Sequence, residues 1–492
     1  MSLTTGLSIA RSALFAAGDQ TAVVSRNVAN AGNPLFSRKS ANVVTAPGGG
    51  VRVASVTRAS EPALVRRLLA ATSDASSQKA LVDALDELEQ TINDPELDAS
   101  PAARLAKLSD AIQNYAAQPH SDLAGQAAVR AAGDLVRALN SATETVNRVR
   151  RQADADIAAS VDRIATLLAR FEVVNGQIVN GTRAGSDVTD LLDTRDQIVA
   201  SMSEEVGVRT IIRADDDMAI YTDSGVPLFD RTARAITFGA TLSLAPGALG
   251  NAVYADGVPV TGSGATMPIA SGRLKGLTAV RDEATVLYQY QLDEMARSLI
   301  EIFAESDQSA VPSLPDAPGL FTYAGAPAMP APATIVDGLA GSISINPNVD
   351  PDQGGLVTRL RDGGIADPLV ANYIYNTSGG VGFSDRLEQL QDRLFAAQAF
   401  DPAAGLETSA TLVKFTSSSA AWVEDVRKSS ADEYEYRNTL MQRSSETLSK
   451  LTGINLDEEM TTMLELERSY QAASKLISSI DSMLAALLVA IG

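Results

Sequence analysis

The sequence predicts an α+β protein of elongated, discontinuous, multidomain build: an α-helical rod made from both ends of the chain and interrupted by a β-rich insert. Three observations predict it. Heptad-spaced apolar residues run through the first 30 and the last 40 of the 492 residues. A third helical pattern runs from Leu123 to Ile178, and at 1.5 Å per residue an unbroken helix there would reach about 84 Å. Between residues 206 and 375 the helical periodicity gives way to short apolar runs separated by Asp, Gly and Ser turns.

The elements follow in order. Leu3, Ala10, Ala17 and Val24 recur every seven residues, and so do Leu7, Leu14, Thr21 and Val28. The interleaved spacing makes a helix with one packed seam. Ser2 or Thr4 can cap it, and Asn30, Gly32 and the Asn33-Pro34 pair end it. Gly48-Gly49-Gly50 reads as a turn into a strand at Val51-Arg52-Val53, not as a phosphate cradle, because no helix follows. Helices are expected at about 62–91, 101–117 and 187–205, flanking the long one. The seam of the long helix passes through Leu135, Leu139, Ala142, Val146, Val149 and Ala153, then Ile157, Val161, Ile164, Leu168 and Phe171.

Val208, Ile211, 219–221, 226–229 and 235–238 read as antiparallel strands. Helix returns at 277–306. Residues 311–332 hold six of the 20 prolines and read as an extended loop. Helices resume from about Phe383. In the last one, Leu456, Met463, Tyr470, Ile477, Leu484 and Ile491 form one heptad set, and Leu466, Ala473, Ile480 and Leu487 the other. Heptad helices at both termini suggest that the two ends pair with each other as a coiled coil or with neighbouring subunits. The resulting division is a terminal helical domain (1–60 with 440–492), an α-helical rod (61–205 with 376–439) and a β-rich outer insert (206–375) carrying one helix.

Composition excludes several kinds of chemistry. With no Cys there is no disulfide framework, thiolate nucleophile or Cys-based metal site, and His120 is the only histidine. A net charge of −20 argues against nucleic acid as a partner. The common nucleotide, protease, hydrolase and calcium-loop motifs are absent, and Asp215-Asp216-Asp217 reads as an acidic turn. No enzyme activity, cofactor or metal is expected. The longest unbroken apolar run, Met483 to Ile491, is short of the roughly 20 residues of a spanning helix, so no membrane insertion is expected. The first 18 residues lack the pattern of a cleaved signal peptide. Charge is uneven: residues 1–60 carry six Lys/Arg against Asp19 alone, a net of +5, and residues 440–492 carry four against seven acids, a net of −3. A basic first arm and an acidic last helix suit mutual pairing.

Two terminal motifs carry a resemblance. Ser25-Arg26-Asn27-Val28-Ala29-Asn30, followed by Phe36-Ser37-Arg38, resembles the N-terminal signature of the flagellar axial proteins, which form rod, hook and hook–filament junction; Leu35 stands where the family usually has Gly. Gly453-Ile454-Asn455-Leu456-Asp457-Glu458-Glu459, then Tyr470, Ala472-Ala473 and Met483-Leu484, resembles the closing helix of the same proteins. The Asn-Leu-Asp-Glu-Glu form, and Asp190-Leu191-Leu192-Asp193-Thr194-Arg195-Asp196 in the rod, are similar to the junction members. Taken singly, Asn27 and Asn30 are ordinary helix-ending residues and Asp193, Arg195 and Asp196 ordinary surface charges. In order, between heptad termini, they carry the resemblance.

The resemblance implies a secreted structural subunit of the bacterial flagellum at the hook–filament junction, outside the cell. Export would proceed through the flagellar type III apparatus. The implied partners are the hook protein, the second junction protein, a ring of identical subunits, and an export chaperone on the C-terminal helix. The implied assembly interface comprises Leu3, Leu7, Leu14, Val24, Asn27, Val28 and Asn30 with Leu456, Met463, Tyr470, Ile477, Leu484 and Ile491. The alternatives are another axial protein, such as the hook or distal rod subunit, a secreted cell-wall hydrolase, and an adhesin or coiled-coil effector. The N-terminal seam has five large apolar residues, too few to offset the ordering of 28, so the arm is expected to order only against neighbours.

Overall fold

A computed structural model describes residues 3–33, 36–92 and 99–491, with Thr91 and Ile491 described by backbone alone. Ser2 as a cap, Pro34 as a helix terminator and the substitution at Leu35 lie outside the described residues, as does the side chain of Ile491.

The chain begins with α1 (Leu3–Ala29) and an antiparallel hairpin, β1 (Lys39–Thr45) and β2 (Val51–Arg58), with a bulge between Asn42 and Val43. Gly48 and Gly49 both take positive φ at its tip, as the glycine run predicts. Four helices follow: α2 (Pro62–Ile92), α3 (Pro101–Ala117), α4 (Asp122–Ala184) and α5 (Thr189–Glu205). Ser100 and Ser121 cap α3 and α4, their hydroxyls accepting from Ala103 N and Ala124 N. The long helix continues six residues past Ile178, to where Gly185 supplies a left-handed cap at φ 69°. Its 63 residues correspond to about 94 Å.

One antiparallel sheet has the order β3 (Val208–Ile212), β4 (Met218–Thr222), β5 (Pro227–Asp230), β6 (Thr232–Ala233). A second has the order β7 (Ile236–Phe238), β8 (Val253–Ala255), β9 (Val258–Pro259). Then α6 (Arg273–Ala279) passes through a π-helical turn, Val280–Ala284, into α7 (Thr285–Ile302). The remainder comprises β10 (Phe321–Thr322), α8 (Leu339–Ser342), β11 (Ser344–Ile345), α9 (Arg359–Asp362), α10 (Asp385–Phe395), the β12 (Ala397–Ala399) and β13 (Ser409–Thr411) pair, α11 (Leu412–Thr452) and α12 (Leu456–Ile491).

The helical core lies along α4, whose seam is buried from Leu135 to Phe171. The helices α3, α5, α6 and α7 surround it, and α2 packs along α11. The one long helix of the insert packs against the rod as well as against the insert's own α8 and β10. Residues 273–302 pack on α2, α4 and α11, and nearly every side chain of α7 is buried, including Gln291, Glu294 and Arg297. Arg297 Nε donates to Glu294 Oε1 at 2.7 Å. A helix with charges enclosed on several faces needs a bundle around it, not one face of a small sheet.

Two expectations change. The arm has a seat within its own chain: α1 lies against α12 and against the β1–β2 hairpin. Its polar contacts add to the five apolar residues that the sequence offers. The span expectation counted only unbroken apolar residues. Within the helical stretch Leu412–Ala490, an 18-residue window reaches a mean hydropathy of 1.5 and is only 11% buried, long and apolar enough to cross a membrane by length and composition.

Candidate assembly interface

The two terminal helices pair, but the faces are not those of the first heptad set alone. On α1, Ala10, Ala16, Ala17, Val23, Val24 and Asn27 are buried, while Leu3, Leu7, Leu14, Val28 and Asn30 are half-buried. On α12 the buried apolar residues are Leu466, Ala473 and Ile480. Met463, Ile477 and Leu484 flank them half-buried, and Leu456 and Tyr470 are 49% and 48% exposed. The seam within the chain therefore rests on the second heptad set. A Cβ at Gly6 would stand 3.6 Å from Ile480 Cδ1, so small residues bring the helices close. On the hairpin side, Ser12 Oγ accepts from Val51 N at 3.0 Å and donates to Ile9 O at 2.8 Å.

Asn27 and Asn30 do different work. Asn30 closes the helix, its Nδ2 donating to Arg26 O at 2.9 Å. Asn27 is fully buried and joins three segments. Its Oδ1 accepts from Lys39 N at 3.0 Å, and its Nδ2 donates to Lys39 O at 2.8 Å and to Glu459 Oε2 at 3.0 Å. Arg38 Nε donates to the other oxygen of Glu459 at 2.7 Å, and Arg38 N donates to Thr452 O at 2.7 Å. The two terminal motifs thus meet at one buried carboxylate, and a carboxamide is the side chain that can donate to it while pairing with a strand's N–H and C=O.

The rod motif faces the same module. Asp190, Asp193 and Asp196 are three apart on α5, hence on one face, and Asp187 precedes them. Arg26 lies 3.2 Å from Asp187 and 3.3 Å from Asp190. Lys39 pairs with Asp190 and lies 3.4 Å from Asp193. Arg58 reaches Asp193 at 3.0 Å and Asp196 at 2.7 Å. Burial pushes the Lys39 amine below its ordinary value against the pull of Asp193, and its ammonium also stands 4.1 Å from the centre of the Phe36 ring. Burial also opposes the charge on Arg58, but Asp196 and Asp193 outweigh it and raise its value. Burial opposes ionisation of Asp187 too, yet hydrogen bonds from Thr189 and Arg26 hold it below the usual carboxylate range.

Arg195 occupies another face of α5. It is buried and donates to Asn175 Oδ1 at 3.2 Å and to Asp216 O. Asn175 in turn accepts from Met218 N at 3.1 Å and donates to Asp217 Oδ1 at 2.7 Å. The acidic turn is thereby tied to the rod, with Arg183 Nε donating to Asp215 at 2.8 Å. Leu191 and Leu192 are half-buried. Among the described residues, no group of three or more His, Cys, Asp or Glu side chains could hold a metal ion.

The family described as "Flagellar hook-associated protein FlgK helical domain" matches residues 85–314, and "Flagellar basal body rod FlgEFG protein C-terminal" matches residues 450–489. Over these two regions the chain is similar to the flagellar hook-associated and rod proteins. Flagellar hook-associated protein 1 of Escherichia coli is 25% identical over 334 residues, 66% of this chain and 59% of the relative. The protein of that name from Salmonella typhimurium is 25% identical over 215 residues, 42% and 38%. The one from Bacillus subtilis is 20% identical over 517 residues, 97% and 96%. The match thus spans less than two thirds of the first two relatives. The solved flagellar hook junction protein FlgK from Burkholderia pseudomallei superposes with a TM-score of 0.42 at 21% identity, covering 52% of this chain and 46% of that one.

The α5 carboxylates and Arg195 fall inside the first matched region, and Glu459 inside the second. Sequence reasoning named the acidic motif but not its partners Arg26, Lys39 and Arg58. The surplus of +5 in residues 1–60 was the available signal. Its assignment to the acidic last helix is corrected: among the described residues, Arg38 is the one cation of the first 60 that pairs with α12, at Glu458 and Glu459. Three of the other five, Arg26, Lys39 and Arg58, turn to Asp187 and the carboxylate row of α5.

Proposed function

We propose that this chain is a structural subunit of the bacterial flagellum at the junction between hook and filament, exported by the flagellar type III apparatus and assembled through its terminal helices. The observation that carries the reading is the surface of α12. After α1 has covered Leu466, Ala473 and Ile480, the helix still exposes Leu464, Tyr470, Leu476, Met483 and Leu487. An apolar stripe of this extent on an outer helix calls for a further partner. In an axial ring that partner is the neighbouring identical subunit. The hook protein lies on one side of the ring and the second junction protein on the other, outside the cell. Before assembly the same stripe is the surface for an export chaperone. The interface includes Leu3, Leu7, Leu14, Val24, Asn27, Val28 and Asn30 on α1, and Leu456, Met463, Tyr470, Ile477, Leu484 and Ile491 on α12.

Deletion of the chain in its own cell should leave hooks without filaments and filament protein shed into the medium. Removal of residues 456–492 should give the same phenotype and abolish chaperone binding. Normal filament attachment by the truncated chain refutes the reading.

A further inference from the structure

The four-stranded sheet ends in an open edge at β3, which pairs only with β4. Asp223 N donates to Gly207 O at 2.8 Å, and Arg213 N donates to Asp217 O at 2.7 Å. Between these two bonded positions the ladder alternates through Arg209 and Ile211. The N–H and C=O groups of Val208, Thr210 and Ile212 therefore point away from the sheet. Among the described residues they make no backbone bond to another element.

That edge forms one wall of a groove of about 670 Å³, and Arg66, Leu69, Ala70, Ser73 and Asp74 of α2 form the facing wall. Ile211 and Ile212 are each 54% exposed. The carboxylates of the walls are already engaged. Asp74 pairs with Arg437 at 2.8 Å, and Asp223 accepts from Ala270 N at 3.1 Å and Ser271 Oγ at 2.9 Å. The two lining arginines differ: among the described residues, the guanidinium of neither Arg66 nor Arg209 has an ion pair or hydrogen bond. Unspent positive charge beside an open strand edge stands out in a chain of net charge −20.

We propose that this edge receives an acidic, extended segment of a partner protein, added as a fifth strand antiparallel or parallel to β3. Main-chain bonds to Val208, Thr210 and Ile212 would supply affinity, the apolar walls would take alternate side chains, and Arg66 and Arg209 would select for acid. Five residues of β3 accommodate about 17 Å of extended chain. The surface is separate from the terminal helices and does not rest on the assembly reading.

The test uses the full chain and two synthetic seven-residue peptides that alternate valine with glutamate or valine with lysine, followed by fluorescence anisotropy and amide exchange. The glutamate peptide should bind at least about tenfold tighter than the lysine peptide, and it should slow exchange at Val208, Thr210 and Ile212. Thr210→Pro removes an outward N–H while leaving the bonds to β4 intact, and should abolish binding; Arg66→Glu with Arg209→Glu should reverse the peptide preference. Each variant is checked for an unchanged circular dichroism spectrum. Binding of neither peptide overturns the proposal and leaves the arginines as guards against edge-to-edge aggregation. Equal binding of both also overturns it. So does concentration-dependent self-association lost in Thr210→Pro, which would make a second copy the occupant.

Discussion

The rod and the terminal pair are written in the same heptad pattern and buried to different depths. Along α4, Leu139, Val146, Ile157, Ile164 and Phe171 are fully enclosed, with helices on several sides. Along α12, among the described residues, Leu466, Ala473 and Ile480 are the buried apolar side chains, and large apolar residues stay open on the remaining faces. A heptad names the face that wants covering. How completely it is covered depends on how many helices the chain can bring to it: several around α4, one beside α12. The rod is finished as a folded unit, whereas the terminal pair leaves apolar faces of α12 uncovered.

The largest effect that would test this contrast is a cavity in the rod. Ile157→Ala should cost about 2–5 kcal/mol, read as a lowered midpoint in calorimetry. A loss below 1 kcal/mol would mean that the rod is as loosely filled as the termini. Next comes the joint between the regions. Asp193→Asn leaves the buried Lys39 with only the exposed Asp190, at a cost of roughly 3 kcal/mol. Hydrogen exchange should quicken in α1 and the β1–β2 hairpin while α4 stays protected. Equal quickening in α4 would show that the two regions unfold as one. Asn27→Ala removes three hydrogen bonds at a buried site and should cost about 1–3 kcal/mol, again confined to the terminal module.

Acid should divide the regions in opposite senses. Asp293 of α7 is raised from 3.8 to about 7 by burial, against hydrogen bonds from Ala340 N, Gly338 N and Gln289. The unfolded chain ionises there first, so this contribution is full below 3.8 and is lost as pH rises to about 7. Asp187 is lowered, so the stability it lends the joint is present above the ordinary carboxylate value and is lost as pH falls through its folded value. Stability measured from pH 4 to pH 7 should fall with pH in the rod, and Asp293→Asn should flatten that slope; an unchanged slope in the variant would remove Asp293 as its cause. The smallest effect belongs to Tyr470→Ala. It should change the free chain's stability by no more than about 0.5 kcal/mol, yet impair attachment of filaments to hooks. A large loss of stability would mean that Tyr470 is already partnered within the chain.

Much of this was legible in the sequence. Periodicity placed α2, α3, α4 and α5 within a few residues, because long apolar seams and Ser or Gly caps are local signals. The heptads at both ends identified the pair α1 and α12. Less legible was which heptad set would do the packing. Leu466, Ala473 and Ile480 prevail over Leu456 and Tyr470 because α1 meets Ile480 at Gly6, and a small residue there favours the set that allows the closest approach. The rod-side placement of residues 273–302 was also hidden, since a helix carrying Gln291, Asp293, Glu294 and Arg297 reads as surface until its partners are known.

By itself the sequence determined the helical ends, the rod, the short strands and the resemblance carried by three motifs, since each depends on residues near one another in the chain. Only the tertiary structure decided the meaning of the charges. Arg26, Lys39 and Arg58 meet the row on α5 from more than 130 positions away, and Asn27 meets Glu459 across 432. No spacing rule reaches that far: a charge's partner is set by the packing of whole elements, and the energy of the pair by how much water that packing removes.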